Sequence, residues 1–228
     1  MFKKTMLVGA AASAVVLAAP AMAHAAAPYA VSVGGSSVTA DHAFTASSVG
    51  AITFTVPLNT MTCTSAGASG DVHSGTGMSG AYTPPSPPWN NPATISGSTW
   101  TGCAEQFGTP LTVDQVGDWQ LEVDDDVTSA QTDQVHGEIS HIDAHVYDTA
   151  QSGLCDFHVT GTADGYFDES TQQLVVDEDG SDNSLTVSSV TTVNGVQADC
   201  LGSVMQGDAA TFSGTYDVSV PDGAVNIS

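Results

Sequence analysis

The sequence predicts an all-β protein, a single antiparallel β-sandwich domain with a barrel as the alternative. Valine, threonine, serine and glycine dominate residues 28–228, and no stretch of them shows the 3.6-residue periodicity of an amphipathic helix. Apolar residues instead recur at every second position, which is typical of half-buried strands. Residue pairs suited to tight turns lie between these stretches, namely Gly117-Asp118, Asp164-Gly165 and Asn194-Gly195. Short strands joined by such turns favour antiparallel pairing.

Residues 1–23 have the pattern of a secretory signal peptide. Two lysines precede an apolar run, and a small-residue cleavage pattern ends at Ala23, with Ala25 as the alternative site. The apolar run is shorter than the roughly 20 residues of a spanning helix, so a membrane anchor is the weaker interpretation. We expect a secreted protein whose single β domain covers residues 28–228, with no membrane span and with two domains as the alternative organisation.

Four apolar alternations predict strands in chain order. They are Ile52-Phe54-Val56-Leu58, Trp119-Leu121-Val123, Cys155-Phe157-Val159 and Phe212-Tyr216-Val218-Val220. Residues 75–98 interrupt this pattern with glycine, serine and the run PPSPPW at 84–89. Proline removes the backbone donors that a strand ladder needs, so we expect a long Gly/Pro-rich loop at 75–98.

The charge of the chain is one-sided and excludes several functions. Its only basic residues besides histidine are Lys3 and Lys4, against 25 acidic residues, most of which follow Pro110. A mature chain without lysine or arginine cannot offer a basic groove to nucleic acid, so no nucleic-acid partner is expected. Cations, cationic partners or cell-envelope components suit its acidic surface better. Crowded like charges are also expected to raise the pKa values of the carboxylates.

The four cysteines suit an exported protein, in which an even number usually forms disulfides. Three pairings are open. We favour Cys63–Cys103 and Cys155–Cys200, because sequence neighbours close the shorter loops. A zinc site is the weaker alternative, since these cysteines lack the close spacing of structural zinc ligands.

A first candidate metal site lies at residues 140–147. If this stretch is a strand, the alternate residues His141, Asp143 and His145 line its outer face at spacings near 7 Å. Two imidazoles and a carboxylate can bind Zn²⁺ or Cu²⁺, and His136 or His158 could supply a further ligand. A solvated polar strand face is the competing interpretation.

A second candidate metal site lies in the acidic turn at 177–183. Asp177, Asp179 and Asp182 place carboxylates around a glycine, as in a calcium-binding loop, although the twelve-residue EF-hand pattern is absent. An acidic hairpin loop without bound calcium is the competing interpretation.

Catalytic motifs are weak. Gly34-Gly35-Ser36-Ser37 and Gly67-Ala68-Ser69-Gly70 do not match the GxSxG nucleophile elbow of serine hydrolases. Carboxylate pairs suited to glycoside hydrolysis discriminate nothing in so acidic a chain. We therefore expect a protein that is not an enzyme.

Several segments together resemble a known group of proteins. They are Thr62-Cys63-Thr64, Ser98–Cys103, Leu185–Val190, Asp199–Gly202 and Gly207–Tyr216. Over most of the mature chain they resemble uncharacterised secreted four-cysteine β proteins of actinobacteria, a resemblance that implies no activity. The chain is also similar in character to the acidic apoproteins of enediyne antibiotics, which are about half its size, and that likeness implies ligand carriage by analogy.

The resulting functional prediction is a secreted, non-catalytic binding or envelope-associated module of unknown ligand. The alternative is an extracellular carrier of a small molecule or of Ca²⁺, Zn²⁺ or Cu²⁺, and a hydrolase comes third. A cleft lined by tryptophan, tyrosine and histidine with converging polar groups would favour the carrier, whereas a solid sandwich without a pocket would favour surface association. The sequence does not indicate the oligomeric state.

Overall fold

The structure is a computed structural model that describes residues 28–79, 82, 89–123, 133–181 and 184–228. The signal peptide predicted at residues 1–23, the prolines within 84–88 and the proposed calcium ligand Asp182 lie outside the described residues. No helix in the described part of the chain is long and apolar enough to cross a membrane.

The described residues form strands and connecting turns, which confirms the predicted all-β antiparallel class. The strands are β1 (Tyr29–Val33), β2 (Ala40–Ser48), β3 (Ile52–Val56), β4 (Asn59–Cys63), β5 (Ser65–Met78), β6 (Ala93–Thr101), β7 (Cys103–Glu105), β8 (Pro110–Gln115), β9 (Trp119–Val123), β10 (Gln134–Asp148), β11 (Asp156–Asp168), β12 (Gln173–Glu178), β13 (Leu185–Val190), β14 (Thr192–Val193), β15 (Val196–Gln197), β16 (Thr211–Ser219) and β17 (Val225–Ile227). One 15-stranded sheet contains all of them except the hairpin β14–β15.

Three long strands each take two different neighbours along one edge. β16 pairs with β3 and then with β2, β10 pairs with β9 and then with β8, and β11 pairs with β13 and then with β12. Because β10 also pairs with β11, and β2 with β5, the hydrogen-bonded ladder returns to its own strands. The sheet therefore surrounds a single apolar core.

Both predicted disulfides are confirmed. Cys63–Cys103 joins the end of β4 to the start of β7, and Cys155–Cys200 fixes the segment after β15 to the start of β11. All four cysteines are buried in the core. The two covalent links therefore stabilise the packing of adjacent strands from within the protein.

Two of the three predicted turns are confirmed. Asn194 and Gly195, with φ of 53° and 82°, connect β14 to β15, and Gly117-Asp118 lies between β8 and β9. The turn predicted at Asp164-Gly165 is wrong, because Gly165 lies inside β11 and pairs with Val176. A Cβ atom on Gly165 would meet the carbonyl oxygen of Val175 at 2.3 Å, so this glycine permits close strand approach rather than a turn.

Two further expectations are corrected. Leu58 was expected on a strand face, but it lies in the turn between β3 and β4, where 56% of its surface is exposed. The Gly/Pro-rich loop expected at 75–98 is shorter, because β5 continues to Met78 and β6 begins at Ala93. Long sheet pairing extends strands through glycine- and serine-rich sequence that carries little apolar signal.

Candidate functional site

The core contains a cavity of about 190 Å³. Its lining is almost wholly apolar and includes side chains from opposite parts of the sheet. The aromatic residues that contribute to it are Phe44, Phe54, Trp100, Trp119, Tyr166, Phe167, Phe212 and Tyr216. Protein interiors are normally close-packed, with few voids larger than a water molecule, so a space of this size is a distinctive feature.

Small residues at inward-facing strand positions account for this space. Ala46 on β2 and Ala144 on β10 are buried and line the cavity, and Gly67 and Gly137 add backbone without a side chain. A Cβ atom on Gly137 would meet the carbonyl oxygen of Glu122 at 2.0 Å, so that position cannot accept a larger residue without movement. The cavity is lined by these small residues together with the aromatic side chains named above.

The cavity suits an uncharged apolar molecule. Apolar cavities of about 150 Å³ stay dry and can bind benzene or xenon, so this cavity can accept a molecule of one or two small rings. Burial raises the pKa of the lining residue Tyr216, which keeps its phenol neutral at ordinary pH. An anionic ligand would lose its hydration here without gaining a counter-charge, since no lysine or arginine is among the described residues that line the cavity.

The residues of the first candidate metal site lie on β10, with their partners on β11. Ile142, Ala144 and Val146 are buried, as expected, so that Asp143 and His145 face outward. His145 Nε2 lies 2.9 Å from the Asp156 carboxylate, and Asp143 accepts a hydrogen bond from His158 Nδ1 at 2.8 Å.

The two pairs lie side by side. The rings of His145 and His158 stack with a centroid distance of 4.6 Å, so His158 does lie beside the predicted pair. The structure thus forms two neighbouring imidazole–carboxylate contacts on the outer face of β10 and β11.

His141 is directed differently. It has a φ of 58° at the irregularity between Ile139 and Ile142, and its Nδ1 lies 2.9 Å from the Ser140 hydroxyl. Within the described ranges, no group of three or more histidine, cysteine or acidic side chains is arranged to hold a metal ion. The Zn²⁺ or Cu²⁺ site at His141, Asp143 and His145 stays a prediction.

The second candidate metal site is organised around a residue that sequence reasoning passed over. Glu178 is buried, and its carboxylate accepts hydrogen bonds from the Gly180 N–H at 2.6 Å and the Ser184 hydroxyl at 3.0 Å. Asp177 is exposed, and Asp179 accepts a hydrogen bond from the Ser181 N–H at 2.8 Å. Calcium binding here stays a prediction.

A row of hydrogen-bonded polar residues crosses β2, β5, β6 and β9, with His73 and Gln120 buried and Asp41 exposed at its end. His73 Nδ1 lies 2.8 Å from Asp41, and its Nε2 lies 3.0 Å from the Thr94 hydroxyl. Thr94 donates to Gln120 Oε1 at 2.8 Å. The ring of Trp89 stacks on His73 at 3.8 Å, and only 1% of His73 is exposed. Burial lowers the pKa of His73, while Asp41 opposes that shift.

The order Asp41–His73–Thr94 resembles a hydrolase relay, but its chemistry differs. In a relay, the hydroxyl gives its proton to the imidazole, whereas here the single Thr94 proton is directed to Gln120. A second chain of the same type, Asp222–His42–Ser74, has the Ser74 hydroxyl donating to the Val38 carbonyl. In both arrangements the hydroxyl therefore donates its proton to a nearby oxygen and not to the histidine.

Three carboxylates have pKa values shifted opposite to the expectation that crowding raises them. Burial alone would raise the pKa values of Glu105 and Asp148. Hydrogen bonds from loop N–H groups have a larger, opposite effect, so both pKa values are lowered. Hydrogen bonds from Ser170 and Thr171 lower the pKa of Asp168 to about 2. The pKa of Glu169 is shifted upward, mainly by burial, and the charges of Asp133 and Asp168 add to this shift. Local hydrogen-bond donors therefore outweigh the effect of burial at Glu105, Asp148 and Asp168.

No family model, curated protein or solved structure matches the chain. The cavity and the polar groups described above are therefore the observations that bear on function.

Proposed function

We propose that this protein is an extracellular, non-catalytic binding protein that holds a small, uncharged, apolar molecule inside its β-sheet core. The observation that carries this proposal is the apolar cavity of about 190 Å³. A core without a specific task would be expected to fill such a space, since each missing contact lowers stability.

The extracellular location is supported by two features. The pattern at residues 1–23 is that of a signal peptide, and both cysteine pairs are disulfide-bonded. Disulfides persist in oxidising compartments outside the cytosol. A secreted carrier that takes its ligand into the core would also protect an apolar molecule from water.

The binding test uses toluene and naphthalene as probes and benzoate as the anionic control. Titration calorimetry or amide chemical shifts should show saturable binding of the neutral probes, with shifts centred on residues that line the cavity. Benzoate should not bind, because its carboxylate would be buried among apolar groups in a strongly acidic protein. Absence of saturable binding by either neutral probe would contradict the proposal.

A matched pair of variants on β2 tests whether the cavity is the binding site. Ala46→Leu places a larger side chain in the cavity, whereas Ala43→Leu adds the same group to an exposed position on the same strand. We expect Ala46→Leu to weaken toluene binding and to stabilise the protein by up to about 2 kcal/mol, since each buried methylene contributes about 0.8 kcal/mol. Ala43→Leu should change neither property.

The stability of Ala46→Leu can also contradict the proposal. If the space is in fact filled by neighbouring side chains, Ala46→Leu would overpack the core and destabilise the protein by about 1–3 kcal/mol. Urea unfolding distinguishes the two signs directly.

A further inference from the structure

Four large apolar side chains are exposed on loops at one end of the protein. The exposed fractions are 56% for Leu58, 72% for Phe107, 78% for Leu201 and 51% for Met205. None of the four lines the internal cavity. They belong to three loops: the β3–β4 turn, the β7–β8 turn and the segment between β15 and β16.

Two side-chain hydrogen bonds hold these three loops together. Gln106, next to Phe107, donates from Nε2 to the carbonyl oxygen of Leu58 at 2.8 Å. Asn59, next to Leu58, donates from Nδ2 to the hydroxyl of Ser203 at 2.7 Å. Ser203 lies between Leu201 and Met205 in the chain, so these two hydrogen bonds bring the loops of the four apolar residues next to one another. We call these four residues the apolar end.

Buried or partly buried carboxylates and a disulfide hold the loops of the apolar end in place. Glu105 accepts hydrogen bonds from the N–H groups of Phe107 and Thr109 at 2.8 and 2.9 Å. Asp199 and Asp208 accept from the N–H groups of Gly202 and Met205 at 2.7 and 2.8 Å. The disulfide between Cys155 and Cys200 anchors the same segment. An apolar surface on preorganised loops loses little conformational entropy when it binds a partner.

The charge of the chain selects the partner. Formal net charge is −23, and no lysine or arginine follows Lys4. A second copy would bring the same negative charge, and an anionic lipid surface would be repelled. We propose that the apolar end is a docking surface for a cationic amphipathic polypeptide segment, with apolar side chains against the four exposed residues and lysine or arginine toward Asp199 and Asp208.

This arrangement follows the usual division of labour in protein interfaces. The apolar centre supplies affinity, and the charged surroundings speed association and select the partner. Methionine and aromatic residues are typical of such centres. The inference is independent of the cavity proposal, because it depends on a different surface.

A synthetic amphipathic helix of leucine and lysine is the probe, with a leucine–glutamate helix of the same pattern as the charge control. Titration calorimetry compares the wild type with Phe107→Ser/Leu201→Ser. The matched control is Val38→Ser, because Val38 is also an exposed apolar residue, at 74%, but lies far from the apolar end. Val38 precedes β2, which pairs antiparallel with the end of β16, whereas Leu58 follows β3, which pairs antiparallel with the start of β16. The two sites therefore lie at opposite ends of the protein.

We expect the double variant to weaken binding of the leucine–lysine helix at least about tenfold, since burying one large apolar side chain is worth that much or more. Val38→Ser should bind as the wild type does, and the leucine–glutamate helix should not bind. Met205→Ser should also weaken binding, which provides a second variant if the first unfolds.

Several results would overturn the inference. Equal affinities for the double variant and the wild type would show only general attraction to the acidic surface. Equal binding of the leucine–glutamate helix would exclude charge selection. Binding to neutral phosphatidylcholine vesicles, or dimerisation that the double variant abolishes in sedimentation experiments, would assign the apolar end to a lipid surface or to a second copy instead.

Discussion

Replacing Asp148 with asparagine should destabilise the protein, because this carboxylate binds the N–H groups of the turn between β10 and β11. Asp148 is only 1% exposed, and its carboxylate accepts hydrogen bonds from the N–H groups of Ser152, Gly153 and Leu154 at 2.7, 3.1 and 3.0 Å. The Ser152 hydroxyl donates to it as well, at 3.0 Å. The carboxylate thereby holds together the turn between β10 and β11.

The magnitude follows from these contacts. The substituted amide has only one oxygen, and its NH₂ group would face at least one N–H group that has lost its acceptor. An unsatisfied buried donor costs about 1–3 kcal/mol. The remaining hydrogen bonds also lose the assistance of a negative charge, which roughly doubles their strength. We therefore expect Asp148→Asn to lower the free energy of unfolding by about 3 kcal/mol.

Urea unfolding at pH 7 measures this loss, with Asp118→Asn as the control. Asp118 is exposed in the turn between β8 and β9, so its substitution should change stability by less than about 0.5 kcal/mol. If Asp148→Asn were as mild as the control, the loop would not depend on the carboxylate, and the reasoning would be refuted.

The pH dependence provides a second test of Asp148. Its pKa is lower in the folded protein than in the unfolded chain, so the folded state binds fewer protons in the acidic range. The stabilisation is fully present above the unfolded pKa and is lost as pH falls through the folded value. Stability of the wild type should fall below about pH 4, and Asp148→Asn should show a smaller decrease.

Three further predictions concern the disulfide, a glycine and the buried histidine. Cys63→Ala/Cys103→Ala should lower the free energy of unfolding by about 4 kcal/mol, by the loop-entropy argument for a separation of 40 residues; a loss below 1 kcal/mol in urea would contradict it. Gly161→Ala should destabilise far more than Gly108→Ala, because both have positive φ but only at Gly161 would a Cβ atom meet a backbone oxygen, at 1.8 Å; equal urea midpoints would disprove the steric argument. In NMR titrations, His73 should protonate below pH 6.5, so that its contribution to stability falls as pH drops through its folded pKa; a value above 6.5 would mean that Asp41 outweighs burial.

Period-two alternation predicted the strands where one face is apolar. It correctly placed Ile142, Ala144 and Val146 inward on β10. It did not reveal the irregularity near His141, because a bulge depends on how two strands pair and leaves no regular sequence pattern.

The sequence did contain a signal for Glu178. Val176 is buried, so the alternation of β12 directs Asp177 outward and Glu178 inward. The neighbouring Asp177 and Asp179 resemble calcium ligands, which draws attention away from the inward position of Glu178. An acidic residue at an inward strand position next to a turn indicates a carboxylate that binds loop N–H groups.

The cavity and the His73 row could not be predicted. An inward alanine such as Ala46 looks the same in sequence whether a neighbouring side chain fills the space beside it or not. Asp41, His73 and Thr94 are far apart in the chain and meet only through the pairing of β2, β5 and β6. Both features depend on distances across the sheet, which no local pattern encodes.

The pairing of β16 with β2, β3 and β12 has a consequence for the order in which the chain can fold. During synthesis, β2 and β3 emerge long before residues 211–219, so the edge that β16 later occupies stays open while the intervening strands are made. Non-local closure of this kind is slow, and open strand edges are sites of aggregation. The acidic residues of the later strands would reduce this aggregation, because copies of the same negative charge repel each other.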